Sequence, residues 1–365
     1  MPNISDPIQI KSMWLQNRLV MAPIVTGLAV DNRVTDANIR WYQAVKGVGL
    51  AIVEASAVDP GGMIVPSQFG TWDDSFLPGL TKVAEAIHGN GAKALIQLVH
   101  SGGRSWRAEG DATPRMAPSA VRLMPGPLPV EMTDEDIESV IAGFRASAAR
   151  AKAAGFDGVE IHGAHYYLLS QFMSPLTNHR KDKWGGDVVG RAQPLVDAIR
   201  GIRAETGPGF IISCRMHAVE LLEGGMSTED SIAIAKLIKN AGCDIIDASA
   251  VGSGSWQGTG DQKSLQTTSV PPPDGEPGIY VPHAARLKEC GLPVIAVGRL
   301  GEPGAADAAL KQGIDMVALA RQIIADPQSP AKILGNRPQD IHPCIKCLNC
   351  FKTMRTGGIK CPVGV

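Results

Sequence analysis

Short apolar runs alternate with longer amphipathic stretches along most of the chain. The apolar runs, rich in Val, Ile, Leu and Ala, predict eight strands, at 17–24, 49–58, 92–100, 155–163, 209–216, 243–250, 292–299 and 314–321. The intervening stretches predict helices near 35–46, 78–90, 133–154, 191–206, 229–241, 281–290 and 303–313. The third helix has the clearest ends, because Thr133 is a suitable N-cap followed by acidic residues and Gly155 is a suitable stop.

The order of these elements indicates an α/β fold. Strands that are apolar on both faces and alternate with helices are typical of a parallel sheet covered on both sides. Eight such units favour a closed (β/α)8 TIM barrel. The alternative is an open, doubly wound dinucleotide-binding sheet, but its G-x-G-x-x-G fingerprint is missing from the first strand-to-helix turn, at 21–36.

Two long irregular insertions, 101–132 and 251–278, follow the third and sixth predicted strands. Both therefore fall at the C-terminal face of the barrel, where barrel enzymes build their sites. Loops of this length in a compact domain are usually lids or binding loops, although surface padding remains the alternative.

Composition and charge limit the classes of partner. The 35 basic and 36 acidic residues nearly balance, and no basic run suggests a nucleic acid partner. No charged and apolar leader and no run of about 18 apolar residues is found, so we expect a soluble, cytoplasmic protein with no membrane contact and a small-molecule substrate. In a reducing compartment, clustered cysteines are expected to hold a metal or redox centre rather than disulfides. Homo-oligomer formation stays open.

Candidate chemistry lies at the exit of the fourth strand. Strand alternation puts Glu160 and His162 on the same side, and His165 and Tyr167 follow within five residues. Imidazoles at a barrel mouth can donate hydrogen bonds to a substrate oxygen that gains negative charge, and a phenol can deliver a proton. A structural role for one histidine, or a metal on both, is the alternative, but no carboxylate ligand pattern accompanies them.

Other polar residues leave neighbouring strands toward the same mouth. Gly298, Arg299 and Arg321 follow strands seven and eight, where barrels commonly bind a phosphate. Gln97 and Arg215 leave strands three and five, with the chemistry to bind a planar heterocycle. The recurrence of arginine on strands five, seven and eight favours an anionic cofactor over isolated surface ion pairs.

Together these segments resemble the old yellow enzyme family of FMN-dependent oxidoreductases over nearly the whole chain. The resemblance is carried, in order, by "NRLVMAPI", "IVEASAV", "QLVHSGGR", "GFDGVEIHGAHYYLLSQFMSPLTNHRKDKWGG", "CRM…EGG", "VIAVGR" and "DMVALARQIIADP". It implies that the isoalloxazine ring is surrounded by Ala22, Pro23, Ala55, Gln97 and Arg215. It further implies that the FMN phosphate is held by Gly298, Arg299 and Arg321.

The same resemblance implies the catalytic roles. His162 and His165 would bind the carbonyl oxygen of the substrate, and Tyr167 would be the proton donor. The chain departs from many family members at Tyr166, where they have a glycine. NADH or NADPH stays open as a direct or indirect electron donor.

The end of the chain carries four of the seven cysteines, in the pattern C-x2-C-x2-C-x10-C formed by Cys344, Cys347, Cys350 and Cys361. This spacing suits a four-iron four-sulfur cluster better than structural zinc, which usually uses two separated cysteine pairs. It is similar to the iron-sulfur branch of the family, which includes 2,4-dienoyl-CoA reductase, 2-enoate reductases and trimethylamine dehydrogenase. The predicted domains are therefore an FMN-binding barrel at 1–335 and an iron-sulfur segment at 336–365. Cys214, Cys243 and Cys290 lie in apolar elements and are predicted to be core residues.

The expected function is reduction of an activated C=C bond of an enone, enoate or enoyl thioester, with hydride transfer from FMN and a proton from Tyr167. Electrons would pass through the cluster. Because larger relatives continue into nucleotide-binding domains and this chain ends at Val365, the expected partner is a separate redox protein, such as a ferredoxin, an electron-transfer flavoprotein or a nucleotide-binding reductase subunit. Two alternatives stay open: an amine or N-methyl dehydrogenase with Trp256 and Tyr166 as cage residues, and a non-catalytic electron-transfer subunit.

Overall fold

A closed barrel of eight parallel strands forms the centre of the molecule, which is known from a computed structural model describing residues 2–364 except for the Asp261 side chain. The strands are β1 (Leu19–Met21), β2 (Leu50–Ala57), β3 (Lys93–Val99), β4 (Gly158–Gly163), β5 (Ile211–Glu220), β6 (Ile245–Val251), β7 (Val294–Val297) and β8 (Met316–Leu319). Each pairs with its neighbour along the chain, and β8 pairs with β1 through Ala318 and Val20. The eight predicted strands and the TIM barrel are confirmed.

The helices return the chain from one strand to the next. They are α1 (Asp36–Ala44), α2 (Leu77–His88), α3 (Asp134–Ala153), α4 (Leu168–Met173), α5 (Val188–Thr206), α6 (Thr228–Ala241), α7 (Val281–Arg286), α8 (Ala305–Lys311), α9 (Arg321–Ala325), α10 (Ser329–Leu334) and α11 (Asn349–Thr353). Thr133 caps α3 as predicted, by accepting a hydrogen bond from the backbone N–H of Asp136. The seven predicted helices are present, and the short helices α4, α9, α10 and α11 were not predicted.

A short N-terminal hairpin, Ile8–Ile10 with Met13–Leu15, packs against the inner core of the barrel. Ile10, Met13 and Leu15 are buried in one apolar cluster with residues from the inner face of the strands, such as Leu50 and Ile295. A larger cluster fills the layer between strands and helices. The barrel interior is therefore packed, which leaves the C-terminal mouth for polar chemistry.

Both long insertions are ordered around that mouth. The first contains a 3-10 turn at Gly102–Arg104 and a pair of two-residue strands, Met116–Ala117 with Val130–Glu131. The second forms an antiparallel hairpin of Ser253–Gln257 with Ser264–Thr268. Arg104 from the first and Thr267 from the second line the cleft described below and share a hydrogen bond of 2.9 Å. The insertions thus help to build the site rather than serve as padding.

Among residues 2–364, no helix combines the length and the apolar character needed to cross a membrane.

Candidate active site

A cleft of about 870 Å³ opens at the C-terminal ends of the strands. Ten of the eleven catalytic and cofactor-binding residues predicted from the sequence line it: Pro23, Ala55, Gln97, His162, His165, Tyr167, Arg215, Gly298, Arg299 and Arg321. The eleventh, Ala22, is buried in the apolar interior of the barrel. The fold therefore gathers these side chains in one place, while their individual roles remain predictions.

His162, His165 and Tyr167 converge at the exit of β4. The ring centroids of His162 and His165 are 4.9 Å apart, and those of His162 and Tyr167 are 4.8 Å apart, both in edge-to-face arrangements. The backbone N–H of Ala164 donates to Nδ1 of His162 at 3.2 Å, so the proton of the neutral ring is on Nε2. Nε2 of His165 lies 2.8 Å from the Ser249 hydroxyl on β6.

The three groups are held in neutral form at physiological pH. Burial, followed by the positive charge of Arg215, lowers the pKa of His162 well below its ordinary value. Burial and the neighbouring His162 lower the pKa of His165 in the same way. Burial raises the pKa of Tyr167, although the guanidinium groups of Arg104 and Arg355 oppose it. One N–H donor from His162, a neutral His165 imidazole and one protonated phenol are therefore presented to the cleft.

Two buried carboxyl groups, which the sequence did not assign to the site, contact side chains that line the cleft. Glu160 accepts hydrogen bonds from Gln97 at 2.8 Å and from Ser213 at 2.9 Å, and Arg215 lies 3.2 Å from Asp247. Burial and then the charge of Asp247 raise the pKa of Glu160 to about 8, with Arg215 opposing. These carboxyl groups orient Gln97 and Arg215. Strand alternation places Glu160 on the same side of β4 as His162, so its position could have been predicted from the sequence. Asp247 has no sequence signal that distinguishes it from other polar strand residues.

The two arginines after β7 and β8 differ in their surroundings. Arg299 has left-handed backbone (φ 61°), and its side chain contacts Glu302 at 2.8 Å and the carbonyl oxygen of Pro272 at 3.0 Å. The side chain of Arg321, at the start of α9, has no hydrogen-bond or ion-pair partner within residues 2–364. Of these two arginines, Arg321 is therefore the one that is free to bind an anion.

The C-terminal segment, residues 343–364, forms one wall of the cleft. Cys344, Lys346, Cys350, Phe351, Met354, Arg355 and Ile359 line it. The segment is attached at both ends, because Cys344 N–H donates to the Gln322 side chain at 3.1 Å and Ile359 N–H donates to the Thr26 carbonyl at 2.7 Å. The sequence predicted an iron-sulfur segment at 336–365, and no local signal indicated that this segment returns to the loop after β1.

The cysteines of this segment are not assembled into a metal site. Cys347 is exposed and the other three are partly buried. Burial raises the pKa of the Cys350 thiol, although a backbone hydrogen bond opposes this shift. The neighbouring Cys344 and Cys347 raise the same pKa further. Within the described chain, however, no group of three or more Cys, His, Asp or Glu residues is arranged to hold a metal ion. The predicted iron-sulfur cluster is thus not shown. By contrast, the predicted burial of Cys214, Cys243 and Cys290 is confirmed.

Comparisons with known proteins identify the family of the chain. The profile of the NADH:flavin oxidoreductase / NADH oxidase family matches residues 3–340. The chain is 38% identical over 353 residues to an NADH oxidase of Thermoanaerobacter brockii, covering 95% of this chain and 53% of the relative. It is 39% identical over 329 residues to an NADPH dehydrogenase of Halalkalibacterium halodurans, covering 88% of this chain and 90% of the relative.

A solved complex of 2-naphthoyl-CoA reductase with 2-naphthoyl-CoA has a similar structure, with a TM-score of 0.88 and 28% identity over 99% of this chain and 57% of that one. The chain therefore spans about half the length of both the NADH oxidase and this reductase, but nearly all of the NADPH dehydrogenase. The resemblance seen in the sequence is confirmed at the level of the family, although the iron-sulfur branch is not. The chain belongs to the NADH:flavin oxidoreductase / NADH oxidase family.

Proposed function

We propose that the chain is an FMN-dependent oxidoreductase that uses NADH or NADPH to reduce an activated C=C bond of an enone, enoate or enoyl thioester. The observation that supports this most directly is the convergence of two neutral histidines and one protonated tyrosine in a single cleft. Such a set can stabilise a carbonyl oxygen that becomes negative and protonate carbon, without carrying charge of its own.

Two residues of the cleft would suit FMN. The buried Nε of Arg215 has no hydrogen-bond partner in the described chain, which suits a cation next to an electron-rich heterocycle. After β8, the unpartnered guanidinium of Arg321 suits a phosphate. Bound FMN would supply a hydride to the carbon β to the substrate carbonyl.

The protein residues would stabilise the negative charge on the substrate oxygen and supply the proton. The Nε2–H of His162 donates to the substrate oxygen, and His165 contacts the same oxygen from the neighbouring position. The Tyr167 hydroxyl transfers its proton to the α carbon. One hydride and one proton then saturate the double bond, and solvent replaces the tyrosine proton.

The test separates hydride from proton. NADPH deuterated at C4 should place deuterium on the β carbon of 2-cyclohexen-1-one, and reaction in D2O should place it on the α carbon. Replacing both His162 and His165 with alanine should slow enone reduction far more than reduction of the flavin by NADPH, because each well-placed donor is worth about 2.7 to 4 kcal/mol. Equal enone turnover in the double variant would reject the assignment.

The amine dehydrogenase alternative loses its proposed cage. Neither Trp256 nor Tyr166 lines the cleft. Trp256 is partly exposed with Lys263 over its ring at 4.9 Å, and Tyr166 is fully buried with Arg104 at 5.9 Å. A role as a pure electron carrier is also disfavoured, because a carrier has no need of a proton donor.

We further propose, from cysteine spacing, that Cys344, Cys347, Cys350 and Cys361 ligate a four-iron four-sulfur cluster and that a separate redox protein exchanges electrons with this chain. Their spacing along the chain supports the cluster, although within the described chain these cysteines are not arranged to hold a metal ion. Iron, sulfide and zinc analysis of anaerobically purified protein tests the ligand set. Cys347→Ser should lose iron, whereas the buried control Cys290→Ala should keep it. Zinc in place of iron would reject the cluster.

The redox partner has its own test. Turnover of the wild type and of Cys347→Ser is compared with NADPH and with reduced ferredoxin as electron donors. The proposal requires ferredoxin to support turnover only in the wild type. Full turnover of both proteins with NADPH, and none of either with ferredoxin, would leave the segment a structural role alone.

A further inference from the structure

The turn that carries His165 has an unfavourable backbone conformation. His165 and Tyr166 are consecutive residues with left-handed backbone, φ 60° and φ 53°, a conformation that residues with side chains rarely adopt. Tertiary contacts must therefore hold this turn. Arg104 donates to the His165 carbonyl at 2.9 Å, and Gln171 donates to the Tyr166 carbonyl at 2.6 Å. The third contact is the hydrogen bond from the backbone N–H of His165 to Nε2 of His217, at 2.6 Å.

This third contact defines the state of His217. Because Nε2 accepts a hydrogen bond from a backbone N–H, the proton of the neutral ring is on Nδ1. Nδ1 lies 3.1 Å from Oε1 of Glu220, to which it donates. The second carboxylate oxygen of Glu220, Oε2, accepts from the Ser174 hydroxyl at 2.7 Å and from Met226 N–H at 2.9 Å. Glu220 therefore selects the tautomer of His217 that can accept from His165.

An irregularity in β5 makes this pair possible. Residues three apart on a regular strand point to opposite faces of the sheet. In this barrel, His217 pairs with Ser249 and Glu220 pairs with Val251, so β5 has one residue more than β6 between these two points. The extra residue is a β-bulge, which restores both side chains to one face. Both side chains are fully buried, and neither residue lines the cleft.

We propose that His217 and Glu220 are positioning residues for the reaction assigned above: they fix the left-handed turn that presents the His165 imidazole to the substrate oxygen. The inference rests on the proposed function for its kinetic consequence, and on the hydrogen bonds alone for its structural one. Neither residue lines the cleft, so their effect on the substrate oxygen is transmitted through the turn that carries His165.

Two substitutions break this link by different routes. His217→Leu removes the acceptor. Glu220→Gln is nearly isosteric, and its carbonyl oxygen should occupy the Oε2 position, where two donors point. The amide NH2 of the introduced glutamine would then face Nδ1 of His217, so Nδ1 must accept and the ring proton moves to Nε2. The Nε2–H would then point at the backbone N–H of His165, and the hydrogen bond between them would be lost. His217→Gln should keep the turn in place, because the glutamine amide can both accept from the His165 N–H and donate to Glu220.

The kinetic measurement is reoxidation of dithionite-reduced holoenzyme by 2-cyclohexen-1-one. We expect His217→Leu and Glu220→Gln to slow it by about 10- to 100-fold, because a buried N–H is left without an acceptor, and His217→Gln to stay near the wild type. In a His165→Ala background, the same two substitutions should cause no further loss. His88→Leu is the matched control, since His88 pairs with Asp157 at 2.7 Å and does not line the cleft.

Hydrogen–deuterium exchange at the His165 amide gives a readout that is independent of turnover. Exchange should accelerate in His217→Leu and Glu220→Gln and should stay slow in His217→Gln and His88→Leu. Unchanged exchange in folded Glu220→Gln, or rate losses that multiply with that of His165→Ala, would overturn the proposal. If His165→Ala itself leaves the rate unchanged while exchange responds as expected, the proposed function fails and the positioning of the turn stands.

Discussion

Tyr167→Phe is the sharpest test of the proton donor. The substitution removes one oxygen and keeps the ring, which contacts His162 edge to face at 4.8 Å. The cleft should therefore keep its shape and its flavin. A positioned general acid contributes about 100- to 10,000-fold to a rate, which corresponds to about 3 to 5 kcal/mol of barrier. We expect the loss to lie in this range.

The loss should appear in only one half of the catalytic cycle. Stopped-flow reduction of the flavin by NADPH needs no proton from Tyr167 and should change little, whereas reoxidation by 2-cyclohexen-1-one should slow by the full factor. Because burial raises the pKa of Tyr167 against the opposing charges of Arg104 and Arg355, the wild-type rate should not fall between neutral and moderately alkaline pH through loss of this proton.

Tyr166→Phe provides the adjacent control. Its hydroxyl is buried near Glu220, outside the cleft lining, so it should retain most of the turnover. The reasoning would be refuted by a folded, FMN-replete Tyr167→Phe variant that reduces enones at the wild-type rate.

Three further predictions concern the cofactor, stability and substrate charge. Arg321→Ala should weaken FMN binding by about 1.5 to 3 kcal/mol, or about 10- to 150-fold; full flavin retention on dilution, matching the surface control Arg200→Ala, would contradict the phosphate assignment. Burial raises the pKa of Glu54 from 4.5 to about 8, so the folded state keeps a proton that the unfolded state releases, and the free energy of unfolding should fall by about 1.4 kcal/mol per pH unit between these values. In denaturant unfolding, the free energy of unfolding of Glu54→Gln should depend less on pH than that of the wild type. Parallel pH dependences in the two proteins would contradict the raised pKa of Glu54. Arg355 is an exposed cation on the cleft wall. Arg355→Ala should therefore raise KM for an anionic enoate by about two- to fivefold more than KM for a neutral enone. Equal changes in the two KM values would show that the charge of Arg355 does not contribute to substrate binding.

Much of the fold was predictable because its signals are local. The eight barrel strands and seven of the helices follow from hydrophobic periodicity and from caps such as Thr133, which depend on neighbours only a few residues away. Helix α4 was missed because all six of its residues are buried, so no polar face marks the helical period. The hairpin in the second insertion was missed for the opposite reason, since every residue of Ser253–Gln257 is exposed.

Ten of the eleven predicted site residues could be placed at the barrel mouth from the strand pattern, because the exits of parallel strands meet at one end of a barrel. The contacts that surround these residues could not be predicted in this way. The partners of Arg215, the bulge that joins His217 to Glu220, and the return of the C-terminal segment to Thr26 are contacts between distant segments or a change of strand parity. Such contacts are selected by the packing of the whole chain and leave no periodic signal in it.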